Sequence, residues 1–465
     1  MPPMALHLDL TGLFSPSDGE GLTREAFLQA LPAAEQARAD HWAAKPAWQE
    51  LPGQHRHLEN CQARARQVRE SHPLEAFAVL GIGGSGLGAS ALLHALSPVY
   101  QEWRPQKGDP KCFVLDSVDP DWLGEWLESV PLDKLHVNVV SKSGGTIETS
   151  AQFLLVYDAV RKAVGSDEEA RKRFTLTTDN KAGHFRKLAD EVGFETLEVP
   201  DGVGGRFSVL SPVGLFPAVM AGMDAQSLLE GAARVDANLA QASAEEDPAL
   251  AYALAHVLWT RRGHNVHVHF PYSHRLRLLA DWYQQLWAES LGKRLAKDGS
   301  VVHTGATPVK AVGPTDQHSQ VQLYVEGPND KVFTMLKLRR FGRRLEVPPP
   351  FAESAAFQPL LGRTLDELME AERQGTEVAL QQAGRPLCVL ELCQLDAFHV
   401  GQYFMFMEVA TAYAGGLMGI DPYDQPGVEA GKKAALALMN CPGFENLAGK
   451  IREQLQSQSR ITLSC

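Results

Sequence analysis

Short apolar runs that end in glycine or hydroxyl loops recur along this chain, and each run is followed by residues with helical spacing. The first run covers residues 76–80, and residues 111–115 and 137–140 repeat the pattern. Strand, loop and helix in alternation are typical of a parallel β-sheet covered by helices. The sequence therefore predicts an α/β fold.

A second series of the same kind is predicted after residue 247, so that the two series meet near residues 225–247. Its predicted elements are, in chain order, helix 249–261, strand 265–270, helix 275–290, strand 320–325 and strand 331–338. The other segments have mostly helical spacing, clearest at 22–70, 364–382, 402–414 and 428–439. The predicted parts are a helical segment (1–70), two α/β domains (71–235 and 236–425) and a C-terminal helical segment (426–465).

The charge of the chain argues against two classes of partner. Its 465 residues carry a formal net charge of −12, whereas nucleic acids and anionic membranes need a local basic surface. The first ten residues lack the pattern of a secretory signal, and no later run approaches the roughly 18 apolar residues of a membrane span. We therefore expect a cytoplasmic protein that binds neither nucleic acid nor membrane. Six cysteines without a C-x-x-C pair indicate reduced thiols.

A glycine loop at residues 81–88 (GIGGSGLG), which includes Gly84 and Ser85, follows the first predicted strand. It comes directly before a predicted helix, an arrangement that presents backbone N–H groups to an anion. The loop also contains G-x-G-x-x-G, and Asp116 ends the next strand. A dinucleotide-binding domain is therefore an open alternative at this point.

A hydroxyl loop at residues 141–146 (SKSGGT) is more specific. It places Ser141, Lys142, Ser143 and Thr146 at a strand-to-helix turn, which suits a phosphate monoester. A dinucleotide fold does not need this second loop, and the chain has no G-x-x-x-x-G-K-[ST] sequence for a nucleoside triphosphate. The alternative is an N-cap serine in an ordinary turn.

Arg206 and Glu289 are candidates for the chemistry itself. Arg206 follows Gly205 and precedes a Ser211-Pro212 pair typical of a helix start. It is either a surface charge or a fixed cation that a ligand can approach closely.

Glu289 shares a helical face with Gln285 among three aromatic residues. Such surroundings favour a carboxylate that takes up protons, as a general base must, although an exposed glutamate is the alternative.

Weaker signals come from single histidines and lysines. His318 lies in a turn before the predicted strand 320–325 and is either a general acid-base or a solvated histidine. Lys432 lies in a predicted helix after Gln425, where most lysines are solvated. Three further histidines have no carboxylate or cysteine at ligand spacing, so no metal site is expected among His264, His267 and His269.

Together these segments resemble the glucose-6-phosphate isomerase family, in particular its shorter bacterial form, over about residues 75–440. The most specific motifs are VGGRFS at 203–208 with SPVG at 211–214, and segment 416–432 with YDQPGVE. The resemblance implies two sugar isomerase domains, each a parallel sheet flanked by helices. It implies interconversion of glucose 6-phosphate and fructose 6-phosphate through a cis-enediol, without a cofactor, in glycolysis and gluconeogenesis. It also implies a homodimer in which His318 enters the neighbouring subunit's active site.

The resemblance further implies a role for each candidate. Glu289 would move the proton between C1 and C2, His318 would help to open the sugar ring, and Lys432 would assist at the ring oxygen. Arg206 would stabilise the enediolate. The residues that would bind the substrate are Gly84, Ser85, Ser141, Lys142, Ser143, Thr146, Gly205, Gln285 and Gln425. Gly144 and Gly145 replace larger residues of the long eukaryotic form, so backbone N–H groups would bind more of the phosphate.

Three alternatives remain. An isomerase that also accepts mannose 6-phosphate would differ around the C2 hydroxyl, which the sequence does not place. A non-catalytic sugar-phosphate sensor is disfavoured by the acidic charge, by the lack of a helix-turn-helix unit and by the four catalytic candidates. A dehydrogenase is supported only by residues 81–86 and Asp116.

Overall fold

The chain forms two units. The computed structural model describes residues 6–14, 21–100, 108–459 and 461–463. The large unit is Met1–Pro422, and the C-terminal unit is Tyr423–Cys465. Both five-stranded sheets belong to the large unit.

The first half of the large unit is built around a parallel sheet. In chain order its elements are β1 (His7–Asp9), α1 (Arg24–Ala44), α2 (His55–Ser71), β2 (Ala76–Leu80), α3 (Leu87–Leu96), β3 (Lys111–Leu115), α4 (Pro120–Ser129), β4 (Leu135–Val140), α5 (Ile147–Val164), α6 (Asp167–Lys172), β5 (Phe174–Thr178), α7 (His184–Val192) and β6 (Glu195–Glu198). The sheet has the order β3-β2-β4-β5-β6, and each neighbouring pair is parallel. Strand β2 is buried on both faces, which explains its continuous apolar run.

The second half of the large unit contains the other five-stranded sheet. Its elements are α8 (Pro212–Met220), α9 (Ala225–Gln241), α10 (Pro248–Arg261), β7 (Val266–Pro271), α11 (Arg277–Leu291), β8 (Lys293–Leu295), β9 (Val301–Thr304), β10 (Thr307–Lys310), α12 (Val321–Glu326), β11 (Lys331–Arg340), α13 (Leu365–Gln382), β12 (Leu387–Gln394) and α14 (Ala397–Leu417). The sheet order is β1-β12-β11-β7-β10, with β1 antiparallel at one edge and the other pairs parallel. The C-terminal unit contains α15 (Glu429–Leu438) and α16 (Glu445–Ser457).

The predicted fold class is confirmed, because two mainly parallel sheets flanked by helices follow one another along the chain. Strands β2 and β3 have the predicted bounds. Helix α8 begins at Pro212, and the Ser211 hydroxyl accepts the Val213 N–H at 3.3 Å as its N-cap. The bounds of the four predicted parts remain a prediction.

Two sequence predictions in the second half are wrong. Residues 320–325 lie mostly in helix α12 rather than in a strand. Val321, Tyr324 and Val325 share one helical face, and Tyr324 is buried. The sequence predicts mostly helices in the C-terminal third, but strand β12 lies there and pairs with β11 and β1. A short apolar run of this kind cannot be assigned to strand or helix by periodicity alone.

Helix α14 lies in the core of the large unit, where α1, α9, α10 and α11 pack against it. No helix in the described part of the chain has the length and hydropathy of a membrane span. Glu408 of α14 is 0% exposed, and neither carboxylate oxygen has a hydrogen-bond partner among the described residues. Burial therefore raises the pKa of Glu408 well above its usual range. The folded chain thus favours the neutral carboxylic acid.

Replacing Glu408 is expected to remove part of the pH dependence of stability. The folded chain keeps the Glu408 proton, whereas the unfolded chain loses it above about pH 4.3. The wild-type free energy of unfolding should therefore fall as pH rises, by up to about 1.4 kcal/mol per pH unit. Glutamine cannot ionise, so Glu408→Gln should lose this contribution and be more stable than wild type at pH 8.

Urea unfolding of both proteins between pH 5 and pH 8, at one protein concentration, measures this difference. Glu128→Gln, at an exposed position on α4, is the matched control and should keep the wild-type slope. Equal slopes for wild type and Glu408→Gln would contradict the raised pKa.

Candidate active site

The glycine loop and the hydroxyl loop leave the first sheet at the same edge. Strands β2 and β4 are parallel neighbours, with Leu80 opposite Val139. Their carboxyl ends therefore lie side by side. Open α/β sheets bind their ligands at this edge.

The hydroxyl loop offers donors to an anion. The buried Ser141 Oγ accepts the Gly144 N–H at 3.1 Å, and Ser143 Oγ accepts the Gly145 N–H at 3.2 Å. Each hydroxyl keeps its own proton to donate. Helix α5 begins directly after the loop, and its N-cap Thr146 makes no side-chain hydrogen bond to the first turn. Hydroxyls next to such a helix N-terminus suit a phosphate group.

Neighbouring segments fix the hydroxyl loop in place. Gly144 has a φ of +66°, and a Cβ there would lie 2.7 Å from Phe185 N, so a larger residue does not fit. Lys142 Nζ donates to Val203 O at 3.0 Å and to Pro200 O at 3.3 Å. Lys142 therefore connects the hydroxyl loop to residues 200–208, which we call the arginine loop.

The glycine loop and the arginine loop touch through their backbones. A Cβ on Gly84 would lie 2.2 Å from Gly205 C and 2.6 Å from Arg206 N. The Ser208 hydroxyl donates to Gly205 O at 2.6 Å and lies 3.4 Å from Gly84 O. Ser85 continues the glycine loop and donates its N–H to Ile82 O at 3.2 Å. The absence of a side chain at Gly84 is thus what allows this contact.

Arg206 is buried where the arginine loop meets helix α11. Its side chain is 3% exposed. Nε donates to Ser290 Oγ at 2.7 Å, and Nη2 donates to Pro422 O at 2.5 Å. Nη1 lies 3.7 Å from Glu289 Oε2. The guanidinium also lies over the Phe207 ring, 5.7 Å from its centroid. The structure therefore brings together the predicted cation and the predicted base.

Glu289 lies near the end of α11 and is partly open to solvent. Its side chain is 23% exposed, and Oε2 accepts the Gln285 Nε2–H at 3.1 Å. Gln285 Oε1 is buried and has no hydrogen-bond partner among the described residues. A Cβ on Gly83 would lie 3.0 Å from Gln285 Nε2, so this amide borders the glycine loop. The aromatic residues of α11 are buried in the core instead: Trp282, Tyr283 and Trp287.

His318 lies apart from these contacts. Its side chain is exposed and follows a short 3₁₀ turn at Thr315–Gln317. Asp316 fixes the turn, because it accepts the Val312 N–H and the Ser319 hydroxyl at 2.6 Å each. In the described residues, no hydrogen bond joins the His318 side chain to Arg206 or Glu289. The next element is helix α12, not the predicted strand.

Gln425 and Lys432 lie in the C-terminal unit. Gln425 precedes a 3₁₀ turn at Pro426–Val428. Lys432 is exposed on α15, and its Nζ lies 3.1 Å from Glu429 Oε1. Their predicted roles at the substrate therefore remain predictions.

The histidines of β7 have protein partners. His269 Nε2 shares a hydrogen bond with the Tyr403 hydroxyl at 2.9 Å, and His267 Nε2 shares one with Thr260 Oγ1 at 3.1 Å. Burial lowers the pKa of His269 to about 3 and that of His267 well below its usual range. Within the described ranges, no group of three His, Cys, Asp or Glu residues is arranged for a metal. These histidines are neutral core residues.

A cavity of about 640 Å³ opens at the carboxyl ends of β7, β11 and β12, and Arg275, Leu338 and Leu395 are part of its wall. None of the predicted site residues is among its described lining residues. The candidate site is therefore located by the contact between Arg206 and Glu289 rather than by the size of a cavity.

Two partners of Arg206 are absent from the sequence predictions. Ser290 lies 84 positions away along the chain and the Pro422 carbonyl 216 positions away. Contacts over such separations leave no periodic signal in one sequence. The one sequence signal for Ser290 is its position directly after the candidate base Glu289.

A two-sheet α/β fold with a hydroxyl loop at a sheet edge and a carboxylate beside a buried guanidinium fits the class of phosphosugar isomerases. A family model described as phosphoglucose isomerase matches residues 65–450. The chain belongs to the phosphoglucose isomerase family. This membership favours the isomerase over the dinucleotide interpretation of the glycine loop.

Individual relatives agree with this assignment. The glucose-6-phosphate isomerase of Carboxydothermus hydrogenoformans is 44% identical over 387 residues, which are 82% of each chain. A hypothetical protein of Thermus thermophilus superposes with a TM-score of 0.82 at 35% identity, over 92% of this chain and 98% of that one. The glucose-6-phosphate isomerase of Chlamydia trachomatis superposes with a TM-score of 0.78 at 22% identity, over 93% and 90%. The last likeness concerns the fold alone.

Gly84→Ala is expected to destabilise the large unit. The new Cβ would overlap the Gly205 backbone, and backbone atoms cannot move aside as a flexible side chain can. Overpacking of this kind typically costs about 1–3 kcal/mol of the free energy of unfolding. Gly204→Ala is the matched control, because a Cβ there meets no atom within 4 Å and its φ is −76°. Urea unfolding compares the two variants, and equal stabilities would contradict the close approach of the two loops.

Proposed function

We propose that this protein interconverts glucose 6-phosphate and fructose 6-phosphate through a cis-enediol intermediate, as a glycolytic and gluconeogenic enzyme of the cytoplasm. Membership of the phosphoglucose isomerase family supports the reaction class. The observation that carries the assignment is the Glu289 carboxylate 3.7 Å from the buried Arg206 guanidinium. Aldose–ketose isomerisation needs a base for the carbon-bound proton and a cation for the oxygen that becomes negative.

Glu289 is the base in this proposal. Gln285 binds Oε2, so Oε1 is the oxygen that takes the proton from one carbon and returns it to the other. Gln285 Oε1, which has no hydrogen-bond partner among the described residues, is an acceptor for a substrate hydroxyl. Gln285 therefore orients the base on one side and the sugar on the other.

Arg206 stabilises the enediolate. Its burial at 3% exposure strengthens its attraction for negative charge, because little water screens it. Its position is set before the reaction, so no reorganisation accompanies the appearance of the charge.

The hydroxyl loop binds the phosphate. Ser141, Ser143 and Thr146 donate their hydroxyl protons, and the N–H groups of the first turn of α5 add their dipoles. The remaining proposed contacts are made by Gly84, Ser85, Lys142 and Gly205. Lys142 contributes a positive charge from the arginine-loop side, where its ammonium already binds two carbonyls.

The complete site contains residues outside these loops. His318 opens the sugar ring from the neighbouring subunit of a homodimer, and its exposed position on a fixed turn supports this. Lys432 assists at the ring oxygen, and Gln425 positions the substrate. The proposal includes no cofactor.

Glu289→Gln is expected to lower kcat at least 10²-fold, the usual effect of losing a positioned base, because an amide cannot accept the proton. Conversion of fructose 6-phosphate, with glucose 6-phosphate detected by an added dehydrogenase, measures kcat. Wild-type turnover should resist a chelator. Glu128→Gln is the matched control and should keep wild-type turnover. A folded Glu289→Gln protein of wild-type activity would refute the base, and a folded, inactive wild type would refute the reaction.

A mixed dimer tests the source of His318. Glu289→Gln and His318→Asn homodimers should each be nearly inactive. If His318 serves the opposite site, a heterodimer has one site with both natural residues and one with neither, so about half of the wild-type activity returns. If His318 acts in its own subunit, each site lacks one residue and no activity returns. Co-expression with two different affinity tags isolates the heterodimer for the assay.

A further inference from the structure

Strand β5 ends beside the point where the chain leaves β4 to form the hydroxyl loop. The two strands are parallel, with Val140 opposite Thr177, and the ladder continues one step further because the Ser141 N–H donates to Thr177 O at 3.1 Å. In a regular parallel ladder the next bond would join Ser141 O to the N–H of Asp179. Here Ser141 O accepts the Thr178 hydroxyl at 2.8 Å instead. A side chain therefore replaces a backbone group at the start of the hydroxyl loop.

The next two carbonyls of the loop also bind groups at the end of β5 and the start of α7. The Asp179 N–H donates to Lys142 O at 3.3 Å, and the Thr178 hydroxyl lies 3.3 Å from the same oxygen. Ser143 O accepts the His184 N–H at 3.3 Å. Three successive carbonyls of the hydroxyl loop are therefore turned toward β5 and α7.

The direction of these carbonyls decides where the neighbouring N–H groups point. In a planar trans peptide, the C=O of one residue and the N–H of the next point in opposite directions. The N–H groups of Lys142 and Ser143 are therefore directed away from β5 and α7. The Gly144 N–H is directed the same way and donates to Ser141 Oγ at 3.1 Å. Successive N–H groups that face one side suit an anion such as a phosphate.

Thr178 is placed to fix this arrangement. Thr178 is 1% exposed and Ser141 is 2% exposed, so water does not compete for their hydrogen bond. Removal of the Thr178 hydroxyl would leave the Ser141 carbonyl without this donor in a buried place, which is unfavourable. The Ser141–Lys142 peptide would then turn to find another donor. Because the peptide is planar, the Lys142 N–H would turn with it.

We infer that Thr178 is a positioning residue that orients the peptide groups of the hydroxyl loop for binding of the substrate phosphate. It holds the Ser141 and Lys142 carbonyls away from the anion, which their negative ends would repel, and so directs the N–H groups toward it. The inference rests on the proposed function for the identity of the anion, whereas its geometric claim rests on the contacts of Thr178 alone.

The kinetic test compares Thr178→Val, which has nearly the same shape without the hydroxyl, with Thr178→Ser, which keeps the hydroxyl. Thr178→Val should raise KM for fructose 6-phosphate about tenfold and leave kcat within about threefold, because phosphate contacts stabilise the ground state and the transition state alike. Thr178→Ser should recover most of the wild-type KM. Thr411→Val is the matched control, since it removes a buried hydroxyl that donates to Met407 O at 2.7 Å, and it should keep the wild-type KM.

Binding of inorganic phosphate, followed by a phosphorus NMR titration, gives a readout that does not depend on turnover. The phosphate Kd should rise about tenfold in Thr178→Val and stay near the wild-type value in Thr178→Ser and Thr411→Val. Thr178→Cys, with a weak donor of similar size, replaces Thr178→Val if that variant does not fold.

The outcomes separate the inference from the proposed reaction. A wild-type phosphate Kd in folded Thr178→Val, or an equal rise in Thr411→Val, would overturn the role of Thr178. A fall in kcat with an unchanged KM would also overturn it. An inactive wild type that binds phosphate would overturn the proposed reaction alone, and the phosphate Kd would still decide the role of Thr178. A wild type that binds no phosphate would overturn the inference.

Discussion

The contact between the backbones of Gly84 and Gly205 is the constraint on which the candidate site depends. At this contact a single methyl group would come within 2.2 Å of a carbonyl carbon. The contact places the arginine loop directly against the loop that leaves β2. Arg206 can then reach from the edge of the first sheet to helix α11. A larger separation between the two loops would draw Arg206 away from Glu289.

The buried charge of Arg206 is stabilised by groups that cannot move far. A desolvated guanidinium costs several kcal/mol unless its donors are satisfied, and here Ser290 and the Pro422 carbonyl satisfy two of them. Phe207, which stacks on Trp48 at 5.0 Å, supports one face of the guanidinium. Glu289 is only partly buried, so its carboxylate loses less hydration free energy than a fully buried one would. A fixed, buried guanidinium beside an accessible carboxylate suits proton transfer followed by stabilisation of an oxyanion.

The sequence allowed accurate prediction where one physical requirement dominates a segment. Strand β2 is buried on both faces, so its apolar run marks its ends. Prediction failed at α12, whose β-branched residues resemble a strand although Tyr324 is buried on a helical face. It failed at β12 because a short run in a mostly helical region has no distinctive period. The individual site residues are predictions from loop chemistry and from resemblance, whereas the packing of Arg206 against Ser290 and Pro422 depends on tertiary contacts that no local pattern contains.

His318, which the proposed function adds to the site, is held differently from the residues near α11. Arg206 and Glu289 are fixed by burial, but an exposed histidine must be fixed by its own loop. Asp316 does this with both carboxylate oxygens, and a Cβ on Gly313 would lie 2.5 Å from the Tyr272 ring. The turn therefore packs tightly while its histidine faces outward. Such rigidity has little value for a solvated side chain, since water imposes no geometry. It suits the general acid-base proposed for His318, which must meet the substrate of a neighbouring subunit at a defined place.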